Sequence, residues 1–517
     1  MRRQRQTGFS TSHRKRQPRP YGDVASTNAE ISAIDFTLFR VNILSDKKNI
    51  PDPALLSACR NGIRIPAGGN MSADVSGVKS PNEPKSSPDQ APPRTPYSSP
   101  LYRFYVLAVL TVVYVFNFVD RQLLVILQEP IKDELALSDT QLGLLTGFAF
   151  ALFYVICGIP IARWADKGNR RSIIALALTV WSVMTAMCGL AANYAHLLLA
   201  RVGVGVGEAG GSPPAHSMIS DIFKPKNRAL ALSIYSIGIY IGILIGFAAG
   251  GFLADAFSWR LAFFVVGIPG VALAVLVLLT VREPIRGWSE GDTSASEPPP
   301  PIRDVARLLW TRISFRHIAL AASLQAFIIY GIGNWLPSYF LRTDELDIGT
   351  IGAWMALTTG IGGGLGSFCG GWLADKFGAK DVRWYLWVPA LLTSLLVPVQ
   401  LAILLSGKVY FALIMTAPFH FLSAAYLGAV LAVSHSLVSV RMRALTSAVL
   451  FFVLNLIGLG LGPVIVGFLS DTFTQNGMRA PLGTAMLICG TIAAIWSVLH
   501  YILAANAVRE DIARRQS

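Results

Sequence analysis

Apolar runs separated by short polar segments fill the sequence from residue 101 onward. Each run is long enough to cross a bilayer as a helix, which takes about 20 residues. The runs that we predict as membrane spans are 103–127, 141–163, 172–192, 195–221, 228–254, 260–281, 316–341, 348–374, 383–405, 408–439, 444–470 and 480–504. The pattern therefore predicts an all-α membrane protein with twelve transmembrane helices.

The composition is typical of a membrane protein, and in such a protein a positive net charge does not indicate nucleic-acid binding. Of the 517 residues, 53% are hydrophobic and 14% are charged, whereas a soluble protein carries about 25% charged residues. A formal charge of +14 would suggest nucleic-acid binding in a soluble domain. Here lysine and arginine concentrate in alternate loops, so no nucleic-acid partner is predicted. The five cysteines are scattered, which favours neither a disulfide framework nor a metal site.

The distribution of positive charge between loops predicts the orientation. The loops that we assign to the inside carry most of the lysine and arginine. The opposite loops hold only Lys132, Arg260, Arg342, Lys408 and Arg479. Cytoplasmic loops of membrane proteins are enriched in these basic residues. We therefore expect both termini to be cytoplasmic, in a multi-pass protein of the cell inner membrane.

Composition divides the chain into five segments. The first is rich in proline, serine and charge and has no apolar period, so it lacks a core to offset the entropy of ordering. Its basic start is not followed by the apolar segment of a secretory signal, and Met71 is a sensible alternative start. The predicted segments are a disordered tail (1–98), a six-helix bundle (99–281), a cytoplasmic linker (282–315), a second six-helix bundle (316–505) and a cytoplasmic tail (506–517).

The two bundles carry the same sequence elements at nearly the same spacing. Asp166 and Asp375 end similar segments after the second and eighth spans, 209 positions apart. Asp255 and Asp471 lie in the similar segments that end the fifth and eleventh spans, 216 positions apart. The two pairs indicate duplication of a six-span unit. Many secondary transporters are built from such repeats, with the binding site between the halves.

These elements resemble the major facilitator superfamily over about residues 101–505. The segment Gly371–Gly378 is similar to the superfamily signature Asp-Arg/Lys-x-Gly-x-Arg-Arg, and Ala165–Arg171 is a less regular copy. In the fourth span, Arg201-x-x-x-Gly205-x-Gly207 resembles a second signature. The resemblance implies the major facilitator superfamily fold, with two six-helix bundles that alternate in access to the two sides of the membrane.

Three further segments resemble the Spinster branch of that superfamily. They are Asn117–Arg121, Gly143–Thr146 and Gly203–Ala209. After Ala209 the sequence departs from animal members, which carry a Ser-Tyr-Ser-Thr-like run there. Animal Spinster proteins move lysolipids or sphingosine phosphate, and bacterial members are linked to protons. The resemblance therefore implies a proton-coupled transporter of an amphiphile.

Charged residues inside the predicted spans are the main candidates for function, because a charge in the bilayer costs several kcal/mol. Asn117, Asp120 and Arg121 share one face of the first span, and Glu208 is a second acid in the fourth span. We expect Asp120 and Glu208 to carry the coupled proton. The alternatives are a static ion pair that locks helix packing and, for Glu208, a protonated acid bonded to backbone.

The same helices suggest a binding site for an anionic or zwitterionic single-chain lipid. Two arginines of the first half can clasp a phosphate or carboxylate through paired hydrogen bonds. The second half offers neutral polar and aromatic residues, including Trp335 and Tyr339. The predicted substrate-binding residues are Arg121, Arg201, Asn117, Tyr330, Asn334, His420 and Tyr426. For His420 a hydrogen-bonded core position is the alternative, and a small organic anion is the alternative substrate.

The signature loops predict a conformational latch at the cytoplasmic side. A carboxylate at a helix end can cap a helix of the neighbouring bundle and pair with nearby basic groups. Such contacts would hold the cytoplasmic side shut and break when it opens. The predicted latch residues are Asp166, Arg170, Arg171, Asp375 and Lys376.

Other function classes lack their sequence signals. The phosphate-binding motif of an ATP-driven pump does not occur, and the seven histidines are dispersed, so no enzyme, metal or cofactor is predicted. The match of Gly205–Gly210 to a dinucleotide motif is rejected, because the segment is intramembrane and follows no strand. A non-transporting scaffold or receptor remains an alternative. We expect a monomer whose partners are membrane lipids, protons and a small amphiphilic or anionic substrate.

Overall fold

The computed structural model describes residues 95–289, 301–343 and 346–516, and all regular secondary structure in these ranges is helical. The predicted tail up to residue 94 and residues 290–300 of the predicted linker, with three of its four consecutive prolines, lie outside the described residues. Pro96–Ser98 of the predicted tail form a short turn of helix, in which the hydroxyl of Tyr97 donates a hydrogen bond to the carbonyl of Arg282. This bond joins the turn to the start of the linker.

The first half contains eight helices. They are α1 (Pro100–Ile126), α2 (Gln128–Leu135), α3 (Asp139–Lys167), α4 (Arg170–Cys188), α5 (Tyr194–Glu208), α6 (Ser212–Ile222), α7 (Pro225–Ala256) and α8 (Trp259–Thr280). Long apolar faces pack α1 along α7 and α4 along α8. The contact of α1 with α7 requires glycine, because a Cβ atom at Gly242 would lie 2.6 Å from the Val115 carbonyl oxygen.

The described residues of the linker and the second half form seven long helices. They are α9 (Ile302–Thr311), α10 (Ile313–Leu341), α11 (348–378), α12 (Trp384–Leu405), α13 (Val409–Ser436), α14 (Arg443–Gln475) and α15 (Pro481–Gln516). The last helix continues through the predicted tail, and the Asp511 carboxylate accepts hydrogen bonds from the Ser314 backbone N–H at 2.8 Å and hydroxyl at 2.6 Å. This contact caps the first turn of α10 and joins it to the last turns of α15.

Ten helices of the described residues are long and apolar enough to cross a membrane. The two other predicted spans are helical as well. The predicted span 195–221 is divided into α5 and α6 by a turn at residues 209–211, and 348–374 falls on α11, whose many glycines lower its mean hydropathy. The all-helical membrane fold is confirmed, and the count of twelve spans stays a prediction.

The halves meet along two pairs of helices, α3 with α14 and α7 with α11. We call the helix ends opposite the predicted cytoplasmic loops the outer ends, and those at these loops the inner ends. At the outer ends a Cβ atom at Gly251 would lie 2.8 Å from the Ile348 carbonyl oxygen, which shows how closely the halves approach. At the inner side, a cleft of about 610 Å³ separates α7 from α11. The structure is therefore closed on the outer side and open on the inner side.

Candidate functional site

An ion pair joins two helices inside the first half. Arg121 on α1 donates from Nε to Oε2 of Glu208 on α5 at 2.7 Å, and its Nη2 lies 2.7 Å from the same oxygen. The Glu208 side chain is 0% exposed and the Arg121 side chain is 16% exposed. The sequence places Arg121 beside Asp120, but consecutive residues of a helix do not face each other. The partner of Arg121 is therefore the distant acid rather than the adjacent one.

Three aromatic rings surround the Arg121 guanidinium. Its central carbon lies 5.0 Å from the ring centre of Phe118, 4.7 Å from Phe150 and 5.3 Å from Tyr154. Such rings attract a cation through their negative faces. Sequence reasoning missed Phe150 and Tyr154, although their spacing of four residues would place them on one face of a helix. They carry no charge, so nothing distinguished them from the other aromatic residues of the spans.

A second set of polar groups is buried beside the ion pair. Asp120 is 1% exposed, Arg201 is 2% exposed, and the two interact electrostatically. Oδ1 of Asp120 and Nε and Nη1 of Arg201 have no hydrogen-bond partner within the described ranges, and the Thr185 side chain lies within hydrogen-bonding range of Asp120. Asn117 lies beside Glu208. Buried polar groups are normally paired, so this cluster is a candidate for binding a proton or a ligand.

The structure brings part of the predicted binding set together. Tyr330 packs against the cores of both halves and interacts electrostatically with Arg121. Tyr426 is buried behind it, within electrostatic range of Tyr330. The first-half residues of the site, together with this tyrosine pair, form one polar and aromatic centre, which we call the central site. Its residues are Asn117, Asp120, Arg121, Arg201, Glu208, Tyr330 and Tyr426.

Four other second-half residues are held by hydrogen bonds, three of them within their own half and Asn334 to Gln128 of the first half. His420 shares hydrogen bonds with the Thr416 carbonyl at 2.8 Å and the Thr359 hydroxyl at 3.1 Å, as the core alternative for this histidine requires. The backbone carbonyl of Asn334 accepts from Gln128 at 2.8 Å. The Trp335 indole N–H and the Tyr339 hydroxyl donate to the backbone carbonyls of Pro463 and Leu404. Whether His420 and Asn334 contact substrate stays a prediction.

Arg170 and Arg171, predicted as latch residues, bind within the first half. Arg170 is buried, and its guanidinium lies 2.5 Å from Asp221 and 2.7 Å from Glu283. The backbone N–H of Arg171 donates to Glu283 at 2.9 Å. These bonds join the start of α4 to the end of α6 and to the start of the linker. In this conformation the two arginines stabilise the inner end of the first half.

The remaining latch residues are also separated from the opposite half. Asp375 accepts a hydrogen bond from the Tyr385 hydroxyl at 2.9 Å, and the Lys376 ammonium lies 4.8 Å from the Trp372 ring centre. Asp166 is exposed. Across the parts of the chain that the structure describes, none of the five latch residues makes a hydrogen bond or ion pair to the other half. The latch hypothesis requires the contacts between the halves to be broken when the inner side is open, and this arrangement is consistent with it.

We expect the Asp375→Ala variant to populate the inward-open conformation more than the unaltered protein. A lost carboxylate contact at a helix end removes about 1 kcal/mol from the closed inner side, roughly a fivefold change in the population ratio. Distances between spin labels on the inner ends of α3 and α11 measure the change. Asp304→Ala, at an exposed acid of α9, is the control. An unchanged distribution would mean that Asp375 serves folding or insertion.

A polytopic helical protein with duplicated halves, a buried ion pair near their junction and access from one side has the architecture of a secondary membrane transporter. The sequence profile of the Major Facilitator Superfamily matches residues 110–456. The chain belongs to this superfamily, and its relatives are transporters rather than enzymes.

Three relatives define its position in the superfamily. A crystal structure of a bacterial homologue of the human lysosomal transporter Spinster, inward-facing and unoccupied, matches with a TM-score of 0.70 and 33% identity, covering 81% of this chain and 98% of that one. An MFS-type efflux pump of Mycolicibacterium smegmatis is 33% identical, over 78% of this chain and 93% of the relative. A "Probable L-galactonate transporter" of Escherichia coli K12 is 25% identical, over 77% and 88%. The chain is a Spinster-like member of the superfamily.

Proposed function

We propose that this protein is a proton-coupled transporter of an anionic single-chain amphiphile, working by alternating access. The observation that carries the proposal is the pair formed by Arg121 and Glu208. A partly exposed cation is held by a fully buried carboxylate, so the two groups differ in their access to a ligand. The cell inner membrane belongs to the same proposal, supported by the basic loops on one side of the chain. A monomeric state is proposed with it.

Protons and substrate are coupled because Glu208 and the substrate headgroup compete for the Arg121 guanidinium. A proton on Glu208 removes its negative charge and weakens both contacts to Arg121. The freed guanidinium then binds a phosphate or carboxylate headgroup through two parallel hydrogen bonds. Loss of the proton restores the ion pair and displaces the headgroup. Asp120, beside Arg201, is the second proton-carrying acid, and its charge state sets the field around the same pocket.

The inner cleft between α7 and α11 supports the proposal that the substrate carries an apolar chain. The cleft is lined mainly by apolar side chains, among them Ile237, Ile361 and Phe368. Tyr240 also lines it and lies within electrostatic range of Tyr330, which in turn interacts with Arg121. An acyl chain in the cleft would therefore lead toward a headgroup at Arg121. The Spinster resemblance favours the same class of substrate.

A small organic anion is the second candidate substrate. One arginine in a compact aromatic pocket suffices for a carboxylate without an acyl chain. The similarity to a probable galactonate transporter favours this candidate. The two candidates share the headgroup site and differ in whether the cleft is occupied.

The length of the acyl chain distinguishes the two candidate substrates. For purified protein and a series of lysophospholipids, we expect affinity to rise by up to about 0.8 kcal/mol, nearly fourfold, for each added CH₂ group that becomes buried. Arg121→Ala should lower the affinity at every length, whereas Arg163→Ala, at an exposed position of α3, should not. Affinity that is flat with length, together with competition by short carboxylates, would favour the small anion.

A further inference from the structure

Helix α9 lies at the inner end of the second half and has no part in the central site. Its residues Val305 and Leu309 are buried in the core of the second half, and the helix contacts α10 and α14. Only Arg312 separates the end of α9 from the start of α10, which is long and apolar enough to cross the membrane. α9 therefore packs along one face at the inner boundary of the membrane.

The opposite face of α9 carries two arginines and a tryptophan. Arg303, Arg307 and Trp310 are spaced by four and three residues, so they share one face of the helix, which we call the arginine face. All three residues are exposed, and Trp310 is 64% exposed. Asp304 is the acid of this helix. Within the described residues, neither it nor the two arginines form a side-chain hydrogen bond or ion pair.

Other arginines at the inner ends of the helices are held by carboxylates of the protein. Arg170 pairs with Asp221, and Arg383 and Arg509 both pair with Asp381 at 2.8 Å. These guanidinium groups are committed to contacts that stabilise the fold. The arginine face lacks such partners in the described part of the chain, so its charges are available to a ligand.

Two further arginines follow at the start of α10. Nε of Arg312 is buried and has no hydrogen-bond partner among the described residues. Arg316 is exposed, and it shares a face of α10 with Ile313 and Leu320, each of which is 40% exposed. An arginine near the end of a membrane-spanning helix extends its charged group toward the lipid headgroups while its stem covers apolar surface. Basic groups therefore continue from α9 onto the lipid-facing side of α10.

We infer that the arginine face, with Arg312 and Arg316, binds the headgroup of an anionic phospholipid of the inner leaflet. Residues 303–316 contain four arginines and one aspartate, a local excess of three positive charges. Basic clusters on an amphipathic helix beside a membrane span attract anionic lipids, and guanidinium groups bind phosphate through paired hydrogen bonds. Tryptophan is typical of the headgroup region, and Ile313 and Leu320 offer apolar contact to the acyl chains.

This lipid is a partner of the protein and differs from the proposed substrate. Its site lies on the outside of the second half, whereas Arg121 lies inside the first half. α9 connects the linker to α10. A lipid bound to the arginine face therefore holds the end of the linker at the membrane surface.

Thermal unfolding of the purified full-length protein in detergent, titrated with phosphatidylglycerol, measures the binding, because a ligand of the folded state raises the unfolding temperature. The double variant Arg303→Gln/Arg307→Gln should need roughly 25-fold more phosphatidylglycerol for the same rise, since each arginine near an anionic surface contributes about fivefold. The control Lys224→Gln/Lys226→Gln removes the same charge from an exposed inner segment of the first half and should leave the response unchanged.

Two further measurements separate charge from apolar contact. Salt at about 1 M, where the Debye length is about 3 Å, should weaken the response to phosphatidylglycerol and leave the smaller response to phosphatidylcholine unchanged. Trp310→Ala should weaken the response to both lipids, because tryptophan contacts the headgroup region whatever its charge.

The same rise with phosphatidylcholine, the same rise with soluble glycerol 3-phosphate, or an unchanged response in the double arginine variant would overturn the proposal. The acidic linker residues Glu290, Asp292 and Glu297 are the other candidate partner of these arginines. A response that appears only after they are changed to glutamine or asparagine would also overturn it.

The titration uses neither a substrate nor a pH gradient. Arg121→Ala should retain the full response to phosphatidylglycerol, and the double arginine variant should retain the binding of lysophospholipid at Arg121. Failure of this inference and failure of the proposed function are therefore distinguishable.

Discussion

Proton-driven accumulation is expected to disappear in the Asp120→Asn variant, while ligand binding is partly retained. Asparagine has the shape of aspartate but cannot release a proton. Each proton moved across 100 mV supplies about 2.3 kcal/mol, which corresponds to a roughly 50-fold concentration ratio. Without it, the internal and external substrate concentrations should become equal. Uptake into proteoliposomes under an imposed pH gradient measures the loss.

The control for this experiment is Asp304→Asn, which neutralises an exposed acid of α9 outside the central site. Exchange of labelled for unlabelled substrate without a gradient shows whether the Asp120→Asn protein still binds and moves its ligand. Undiminished proton-driven uptake in that variant would refute the role of Asp120. Loss of both uptake and exchange would assign the residue to substrate movement itself rather than to proton coupling.

The Glu208→Gln variant is expected to bind its anionic ligand more tightly at neutral pH and to lose the pH dependence of binding. Glutamine cannot hold Arg121 by charge, so the guanidinium no longer exchanges a carboxylate for the ligand. Hydrogen bonds to charged groups contribute about 1.5–3 kcal/mol, which predicts roughly 10- to 150-fold tighter binding. Titration of purified protein with a lysophospholipid between pH 5 and 8 measures both effects.

Arg121→Ala is the matched variant for this second prediction, because it removes the other member of the same pair. It should weaken binding at every pH, whereas Glu208→Gln should strengthen it. Equal weakening in both variants would mean that the pair stabilises the packing of α1 against α5 and does not control the ligand. Thermal unfolding of the two proteins then shows whether stability falls in parallel.

The sequence predicted the fold because the patterns that indicate it lie within short stretches of the chain and do not depend on tertiary packing. A run of apolar residues long enough to cross a bilayer remains visible whatever the helix packs against, and the two aspartate pairs at 209 and 216 positions reveal the duplication. The central charges were predictable for a similar reason. Asp120, Arg121 and Glu208 are costly inside a membrane, so their presence in apolar runs required an explanation. The substrate-binding and latch residues still await the experiments above.

Local patterns did not predict which helix faces meet. The partner of Arg121 is Glu208 rather than Asp120, and the aromatic residues Phe150 and Tyr154 approach it from α3. The last helix, α15, extends to Gln516, and its Asp511 carboxylate accepts a hydrogen bond from the backbone N–H of Ser314 at the start of α10. Each of these contacts joins residues from separate helices, and no period or spacing along the chain specifies them.

By itself, then, the sequence determined the helices, their duplication and the acids and arginine buried among them, since each depends on residues a few turns apart. Only the tertiary structure decided that the duplicated elements exchange partners between the halves, which places Asp471 on α3 and Asp255 beside α11. It also decided that the outer side is closed and the inner side is open. The physical reason is that the contacts between the halves join residues far apart in the sequence, and the free energy of these contacts selects the end that closes.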